Sequence, residues 1–223
     1  DQQQPEYLKL NPKGVVPTLI DGDNVVRESN VILEYLDDEY PDPPLRPATS
    51  MGRARMRLWI KRLDEGLHDI ATATLSMGTA FRFQCLDKSP EARQALIEKI
   101  PDPIKRERRR DVVDNGLEAK EFTTAAAMMN SFLGDMETVL GQTQWLAGDD
   151  YSIADTAFTP YLTRLDHLNY LGFIEDRPHV ADWYTRIKAR PSYGAAITEW
   201  MNQGYHELMQ EKGTEAWPRV KEI

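Results

Sequence analysis

The sequence predicts an α+β fold in which a short strand-and-helix segment is followed by an all-α helical bundle. Two apolar runs, VVPTLID and NVVRE, flank Asp21-Gly22-Asp23, and that combination favours a β-hairpin. The proline-rich stretch PDPPLRP then removes backbone donors and ends regular structure. Beyond it, apolar residues recur at helical spacing with almost no strand signal, which predicts helices throughout residues 51–223.

The segment before residue 51 is predicted to contain a hairpin, a helix and a linker. The hairpin occupies residues 15–28. A helix follows from about Asn30 to Glu39, because apolar side chains recur there at helical spacing and Ser29 can accept a hydrogen bond from an amide of the first turn. The predicted domains are residues 1–42 and 51–223, joined by a linker in residues 43–50.

The helical domain divides into several predicted helices. The apolar stripe from Met51 to about Phe83 is one long helix or two abutting ones. In residues 91–122, Pro101 and Pro103 interrupt a helical stretch, and a charged surface segment follows. The remaining helices are predicted in residues 123–140, 152–168, 178–189 and 192–211.

Ser152 and Asp155, in DDYSIADTAFTPYL, have the spacing of a capping box. In such a box the serine side chain accepts a hydrogen bond from the amide three residues on, and the acid reaches back to the serine amide. Its predicted role is in folding.

Composition and charge exclude several classes of function. Hydrophobic residues make up 41% of the 223 residues and charged residues 28%, as in an ordinary globular protein. No apolar run approaches the roughly 18 to 20 residues of a membrane span. The formal net charge of −9 opposes non-specific binding to nucleic acid or anionic lipid, so the run KRERRR is interpreted as a solvated helix face. We expect partners among small molecules or proteins, with no nucleic acid and no membrane.

Cysteine and histidine usage predicts no metal site and no internal disulfide. The chain has one cysteine, Cys85, which is interpreted as a buried, inert thiol rather than a reactive one. The histidines are scattered, and none has the spacing of a helical zinc site. They are His68, His167, His179 and His206. Because the N-terminal stretch DQQQPEYLKL lacks the regions of a signal peptide, a reducing cytoplasm is predicted.

Two pairs of residues at the ends of the hairpin are candidates for ligand binding. Val16-Pro17 begins the first strand, where a proline either lies on a strand edge or is cis, and a free backbone there can pair with a peptide-like ligand. Glu28 and Ser29 end the second strand at a helix N-terminus, where amides and the helix dipole favour a carboxylate. From the residues alone, an ordinary edge proline and a serine that merely caps the helix stay open as alternatives.

The order of motifs resembles the cytosolic glutathione transferases over nearly the whole chain. The motifs are NPKGVVPTL, VVRESNVILEYL, the proline linker, the long helix and WLAGDDYSIADTAFTPYL. That family joins a thioredoxin-like domain to an all-α domain. The insert RERRRDVVDNGLEAKEF is similar to the bacterial branch that includes lignin β-etherases.

The resemblance implies that the thioredoxin-like domain is partial here. The first strand of a family member, its helix and the next strand have no counterpart before Asp1. We therefore expect those residues either to be missing from the sequence or to have been lost from the natural chain, with the first explanation favoured.

The resemblance also implies roles for the hairpin residues. It favours a cis Val16-Pro17 bond, with the Val16 backbone facing glutathione, and it assigns the γ-glutamyl end to Glu28 and Ser29. Lys13 would meet the glycine carboxylate.

One departure from the family pattern lies beside these residues. Val15 stands where the family commonly has a Lys or Gln, so one side-chain contact to the ligand is lost. Asp64 and Glu65 fall where some relatives place an acid that reaches the neighbouring subunit's glutathione, but a plain surface pair is the preferred interpretation.

The implied activity is attack of the glutathione thiolate on a small, hydrophobic electrophile, giving a thioether or cleaving a β-aryl ether. Such catalysis depends on a group that lowers the thiol pKa. That group usually lies near the end of the first strand, and no residue of the chain is assigned to it. The family resemblance implies a homodimer. An alternative from another class is a noncatalytic, transferase-like scaffold that binds proteins.

Overall fold

The computed structural model describes residues 2, 4–100 and 102–223, which form two compact units. One unit contains the residues up to Ile60 together with Trp145–Phe158, and the other contains Lys61–Gln144 and Thr159–Ile223. We call them the hairpin unit and the helical unit. The predicted domain bounds are a different division of the chain and stay a prediction.

The hairpin unit begins with the predicted hairpin and helix. Helix α1 (Pro5–Leu10) precedes strands β1 (Thr18–Asp21) and β2 (Asn24–Arg27), which pair antiparallel. Helix α2 (Ser29–Glu39) follows directly. The strands are shorter than predicted, because Val15, Val16 and Pro17 lie outside the ladder. Pro17 has no amide to donate to it.

The predicted capping role of Ser29 is wrong. Glu28 is the residue at the N-cap, with φ 67° and ψ 116°, and helical geometry begins at Ser29 itself. The Glu28 side chain makes no capping hydrogen bond. Because the backbone turns at Glu28 rather than one residue later, the Ser29 hydroxyl lies on the first helical turn instead of before it.

The proline-rich stretch after α2 has no helix or strand, as predicted, and specific bonds hold it. The buried carboxylate of Asp37 accepts hydrogen bonds from the Leu45 amide and from Nε of Arg46, each at 2.5 Å. The Leu45 carbonyl accepts a bond from the Ile153 amide at 2.9 Å. Helix α3 (Ser50–Arg62) begins after this stretch.

Asp155 lies at 0% exposure and joins the segment around Leu146 to the start of a later helix. Its carboxylate accepts bonds from the amides of Leu146 and Ser152, both at 3.0 Å, and from the Ser152 hydroxyl at 2.9 Å. The acid reaches back as predicted. The Ser152 hydroxyl donates to this carboxylate, and the predicted bond from the Asp155 amide to this hydroxyl stays a prediction.

After α3 the helical unit continues as abutting helical segments, one of the two alternatives predicted. A π-helical segment, Leu63–Thr72, is broken at Glu65 and Gly66, and Gly66 has φ 118°, which favours glycine. The following segments are α4 (Ala73–Ser76), a second π-helical segment (Met77–Phe81) and α5 (Arg82–Leu86).

Two helices, α6 (Pro90–Glu98) and α7 (Pro103–Asn115), follow α5. Pro103 begins the second of them, in agreement with the predicted interruption, whereas Pro101 lies outside the described residues. Asp102 accepts bonds from the amides of Ile104 and Lys105 and so caps α7. Cys85 is half-buried rather than buried, which corrects the prediction, because it lies near the end of α5.

The remaining helices are α8 (Lys120–Leu140), α9 (Ile153–His167), α10 (Pro178–Lys188), α11 (Pro191–Tyr193) and α12 (Gln203–Val220). They lie in the helical unit, except that the first part of α9, up to Phe158, belongs to the hairpin unit. Helix α8 packs against Leu63–Thr72 and α10 and buries Phe122, Met129 and Leu133. In the described ranges, no helix combines the length and the apolar character that crossing a membrane requires.

The single helix predicted in residues 192–211 is wrong. A π-helical segment, Gly194–Thr198, follows α11 and ends before α12, which begins at Gln203. The side chain of Asn202 accepts a bond from the Tyr205 amide at 3.0 Å. This cap starts a new helix where apolar spacing alone suggested continuity.

Candidate functional site

The candidate site lies at the open end of the hairpin. Because Thr18 pairs with Arg27, the residues before β1 and the residues after β2 leave the same end of the two strands. Val16-Pro17 therefore lies on one side of this end and Glu28-Ser29 on the other. The register brings together the two pairs that the sequence predicted separately.

The Val16-Pro17 peptide bond is cis, which confirms that prediction. The Val16 side chain is 68% exposed. Among the residues that the structure describes, neither the amide nor the carbonyl of Val16 has a hydrogen-bond partner. An extended, peptide-like ligand can pair with such a free backbone.

Two side chains hold the loop before Val16, and sequence reasoning missed both. The Val15 carbonyl accepts bonds from the Tyr7 hydroxyl and from Nδ2 of Asn11, each at 2.8 Å. Asn11 is only 2% exposed, and the Tyr7 hydroxyl also lies 2.9 Å from Oγ1 of Thr18. Asn11 opens the NPKGVVPTL motif, so its position in that motif was the available signal. These bonds satisfy the Val15 carbonyl and hold the loop in place, whereas the Val16 amide and carbonyl stay accessible.

Glu28 forms the corner between β2 and α2. Its φ of 67° is rare for a residue with a side chain, and residues in such conformations cluster at sites that clamp ligands. Its carbonyl accepts the first helical bond, from the Ile32 amide at 2.9 Å. The corner directs the start of α2 towards the open end of the hairpin.

Ser29 is exposed at the first turn of α2, and its hydroxyl has no partner in the described part of the chain. The first amides of a helix lack intrahelical partners, and the helix dipole adds partial positive charge there. The hydroxyl and these amides together form an arrangement that accepts a carboxylate.

Lys13 and Glu28 form an ion pair across the open end. Nζ of Lys13 lies 2.7 Å from Oε1 of Glu28, with side-chain exposures of 71% and 55%. The pair brings an ammonium and a carboxylate to the edge of the Ser29 turn. The Lys13–Glu28 pair can therefore contact an anionic group and a cationic group of the same ligand.

Two further residues considered from sequence belong to the helical unit. Asp64 and Glu65 are exposed at the break in the Leu63–Thr72 segment, in the helical unit. Glu65 lies 3.5 Å from Nζ of Lys61, and the exposure of both acids agrees with the preferred interpretation of Asp64 and Glu65 as a plain surface pair.

Comparison with known proteins assigns the family. The model of the glutathione S-transferase N-terminal domain matches residues 1–44, and that of the glutathione S-transferase C-terminal domain matches residues 105–186. A tetrachloro-p-hydroquinone reductive dehalogenase of Sphingobium chlorophenolicum is 30% identical over 199 residues, covering 86% of this chain and 79% of that protein. The chain belongs to the glutathione S-transferase superfamily.

Within this superfamily the chain is similar to a bacterial etherase. Protein LigF of Sphingobium sp. strain SYK-6 is 28% identical over 229 residues, covering 96% of this chain and 84% of that protein. The crystal structure of β-etherase LigF from the same strain superposes with a TM-score of 0.75 at 27% identity, over 89% of this chain and 84% of that one. The predicted fold class and the predicted resemblance to the β-etherase branch are both confirmed.

Proposed function

We propose that this glutathione S-transferase binds glutathione at the open end of the hairpin and joins its thiolate to an apolar electrophile. The left-handed backbone at Glu28 supports this most strongly, because it exposes the Ser29 hydroxyl and the first amides of α2 beside an unpaired stretch of backbone. A backbone in this conformation is costly unless the surroundings impose it.

The charges of the site suit the γ-glutamyl end of glutathione. That end carries a carboxylate and an ammonium group. The carboxylate would accept bonds from the Ser29 hydroxyl and amides, and the ammonium would meet the Glu28 carboxylate. The Lys13 ammonium would then share its pairing between the Glu28 carboxylate and the glycine carboxylate at the other end of glutathione.

The middle of glutathione suits the free backbone of Val16. The cysteinyl residue of the ligand carries one amide and one carbonyl, which match the carbonyl and amide of Val16. Val15 replaces the family's usual polar side chain, so we expect the ligand to be held there through the backbone alone.

The reaction that we propose is cleavage of a β-aryl ether. The thiol first loses its proton, and the thiolate then attacks the carbon that bears the ether oxygen. A carbon–sulfur bond forms, the carbon–oxygen bond breaks, and its electron pair leaves with the aryloxide, which takes up a proton. The similarity to LigF supports this reaction over other displacements at carbon.

We infer further that the chain forms a homodimer in a reducing cytoplasm. Closed two-fold assemblies are the commonest, and the family is dimeric. Met51 and Leu58 are 62% and 70% exposed on α3 and would be covered in such a dimer. Sedimentation at micromolar concentration should give twice the mass of one chain, whereas the mass of one chain would contradict the dimer.

Calorimetric titration with glutathione tests the proposed function. Ser29→Ala should weaken binding at least threefold, and Ser131→Ala, an exposed serine on α8, should leave it unchanged. The chain should also be retained on immobilised glutathione. Absence of binding in both assays would favour the noncatalytic scaffold.

An activity assay tests the reaction. A β-aryl ether ketone and a chlorinated nitroarene should be offered in parallel with glutathione. We expect release of the phenol from the ether to exceed the spontaneous rate. If only the nitroarene is turned over, the proposed glutathione transfer is supported and the proposed ether cleavage is wrong.

A further inference from the structure

The helical unit contains a cavity of 180 Å³ that the proposed glutathione site does not use. Its apolar wall includes Ala73, Met77 and Val112. Its charged wall includes Lys105, Arg108 and Arg109 of α7. The cavity therefore combines an apolar surface with a cluster of cations.

One of these cations is already neutralised. Nζ of Lys105 bonds the carboxylate of Asp69, which also lines the cavity. Burial alone would raise the pKa of Asp69, but the hydrogen bond from Lys105 and the charges of Lys105, His68 and Arg108 outweigh burial and hold this pKa below its usual value. Asp69 is thus ionised and paired, and the two remaining guanidinium groups set the charge of the cavity.

Among the described residues, Arg108 and Arg109 make no direct contact with a carboxylate, although the charge of Arg108 acts on Asp69 at longer range. In residues 2, 4–100 and 102–223, neither guanidinium group makes a hydrogen bond or an ion pair with a protein group. Nε of Arg108 is buried without a partner. Burial lowers the pKa of Arg109, and its electrostatic neighbour is the Cys85 thiol, which is a poor acceptor.

Unpaired guanidinium groups in a cavity need an explanation, because desolvated charge is costly unless it is paired. This desolvation cost is notable because the chain has a net charge of −9 and therefore many carboxylates that could have paired with the guanidinium groups. A planar, fork-shaped guanidinium group matches a carboxylate, which can accept two bonds at once. The missing partner is therefore an anion that the protein does not supply.

The size of the cavity limits the rest of the ligand. An apolar cavity of about 150 Å³ accommodates benzene. At 180 Å³, this cavity has room for one aromatic ring and a small substituent. It is smaller than the ~300–1,000 Å³ pockets that hold larger ligands.

We propose that this cavity binds a single-ring aryl carboxylate, with its carboxylate on Arg108 and Arg109 and its ring against Ala73, Met77 and Val112. Inorganic phosphate would satisfy the charge but leave the apolar wall in contact with water. A neutral ring would fill the wall but leave the charges unpaired. The residues that line this cavity all belong to the helical unit.

Calorimetric titration of the full chain with three probes tests the ligand class. Benzoate should bind saturably with one site per chain, and benzyl alcohol and inorganic phosphate should each bind at least tenfold more weakly. Equal binding of benzoate and either control probe, or no binding of benzoate, would overturn the proposal.

Matched variants test the location. Arg108→Gln with Arg109→Gln should weaken benzoate at least tenfold. Arg110→Gln, on the same helix but bonded to Glu107, should leave it unchanged. Equal loss in the double variant and in the Arg110 control would remove the site from this cavity. Melting temperatures check that each variant is folded.

A spectroscopic signature locates the ring without disturbing the charges. Methionine methyl groups are labelled with carbon-13, and the Met77 signal is assigned with Met77→Leu. Benzoate should move this signal by the ring current while methionines remote from the cavity stay in place. A saturating benzoate titration that leaves Met77 unmoved would contradict the proposal, even if the double arginine variant failed to fold.

Discussion

The Lys13 ammonium and the Glu28 carboxylate lie 2.7 Å apart and join the loop before β1 to the corner after β2. The two residues were predicted separately as contacts to glutathione. Their pairing means that the ligand-free site is already close to neutral at this edge. Binding of a zwitterionic γ-glutamyl group would redistribute these contacts rather than create a new charge.

Glu28→Gln should weaken glutathione binding at least tenfold, equivalent to about 1.4 kcal/mol, because the ligand ammonium loses its carboxylate. Calorimetry measures the change. Glu39→Gln, an exposed position at the other end of α2, is the matched control and should leave the affinity unchanged. Unchanged affinity in the Glu28 variant would remove this residue from the site.

Lys13→Gln should have a smaller effect. We expect KM for glutathione to rise about twofold to fivefold with kcat unchanged, because an exposed cation contributes equally to ground-state and transition-state binding. The rise should shrink at high salt. Lys9→Gln removes a comparable exposed lysine, one that pairs with Glu6 at 2.9 Å, and should have no effect. A lower kcat for the Lys13 variant would give Lys13 a different role.

Asp155→Ala should lower the free energy of unfolding by about 2–4 kcal/mol, because two buried amides lose their acceptor. This exceeds the ~0.5–2 kcal/mol of a simple helix cap. Chemical denaturation measures it, and glutathione affinity should stay the same. Asp150→Ala, an exposed acid nearby, should be neutral. Equal stability of the two variants would contradict this account of Asp155.

The hydrogen bond from the Tyr35 hydroxyl to Oδ2 of Asp21, 2.8 Å long, joins α2 to β1 and raises the pKa of Tyr35 to about 12. The ordinary tyrosine pKa is about 10. Since the folded-state pKa is the higher of the two, the stabilisation is complete below about pH 10 and is lost as the pH rises through about 12.

Ultraviolet titration of tyrosinate tests that hydrogen bond. The difference between the titration curves of the parent and Tyr35→Phe should correspond to one tyrosine with a pKa of about 12. Tyr40→Phe, at the exposed end of α2, serves as the control. A difference curve for the Tyr35 variant that is centred near 10 would show that the hydroxyl is not bonded to Asp21.

Local patterns were sufficient to predict the hairpin, α2, the proline-rich stretch and most helices. Turn residues, β-branched runs and helical spacing act over a few neighbours, so the sequence records them directly. The break before α12 was missed because apolar spacing continues through it. Asn202, which caps the new helix, was the signal that should have divided it.

The geometry of the candidate site was less predictable. The φ of 67° at Glu28 has no residue-type signal, because glutamate rarely takes a left-handed conformation. Ser29 was therefore placed one position too early in the helix. The Lys13–Glu28 pair and the Tyr7 bond to Val15 depend on the hairpin register and on α1, which bring together residues far apart in the chain.

Amide chemical shifts test the central claim, that glutathione binds at the open end of the hairpin, most directly. In a titration of the nitrogen-15 labelled chain, the amides of Val16 and Ser29 should shift together, saturably, with the dissociation constant that calorimetry gives. Oxidised glutathione, which has no free thiol, is titrated in the same way to show whether the thiol contributes to binding. A saturating titration that leaves both amides in place and moves signals elsewhere would contradict the assigned site.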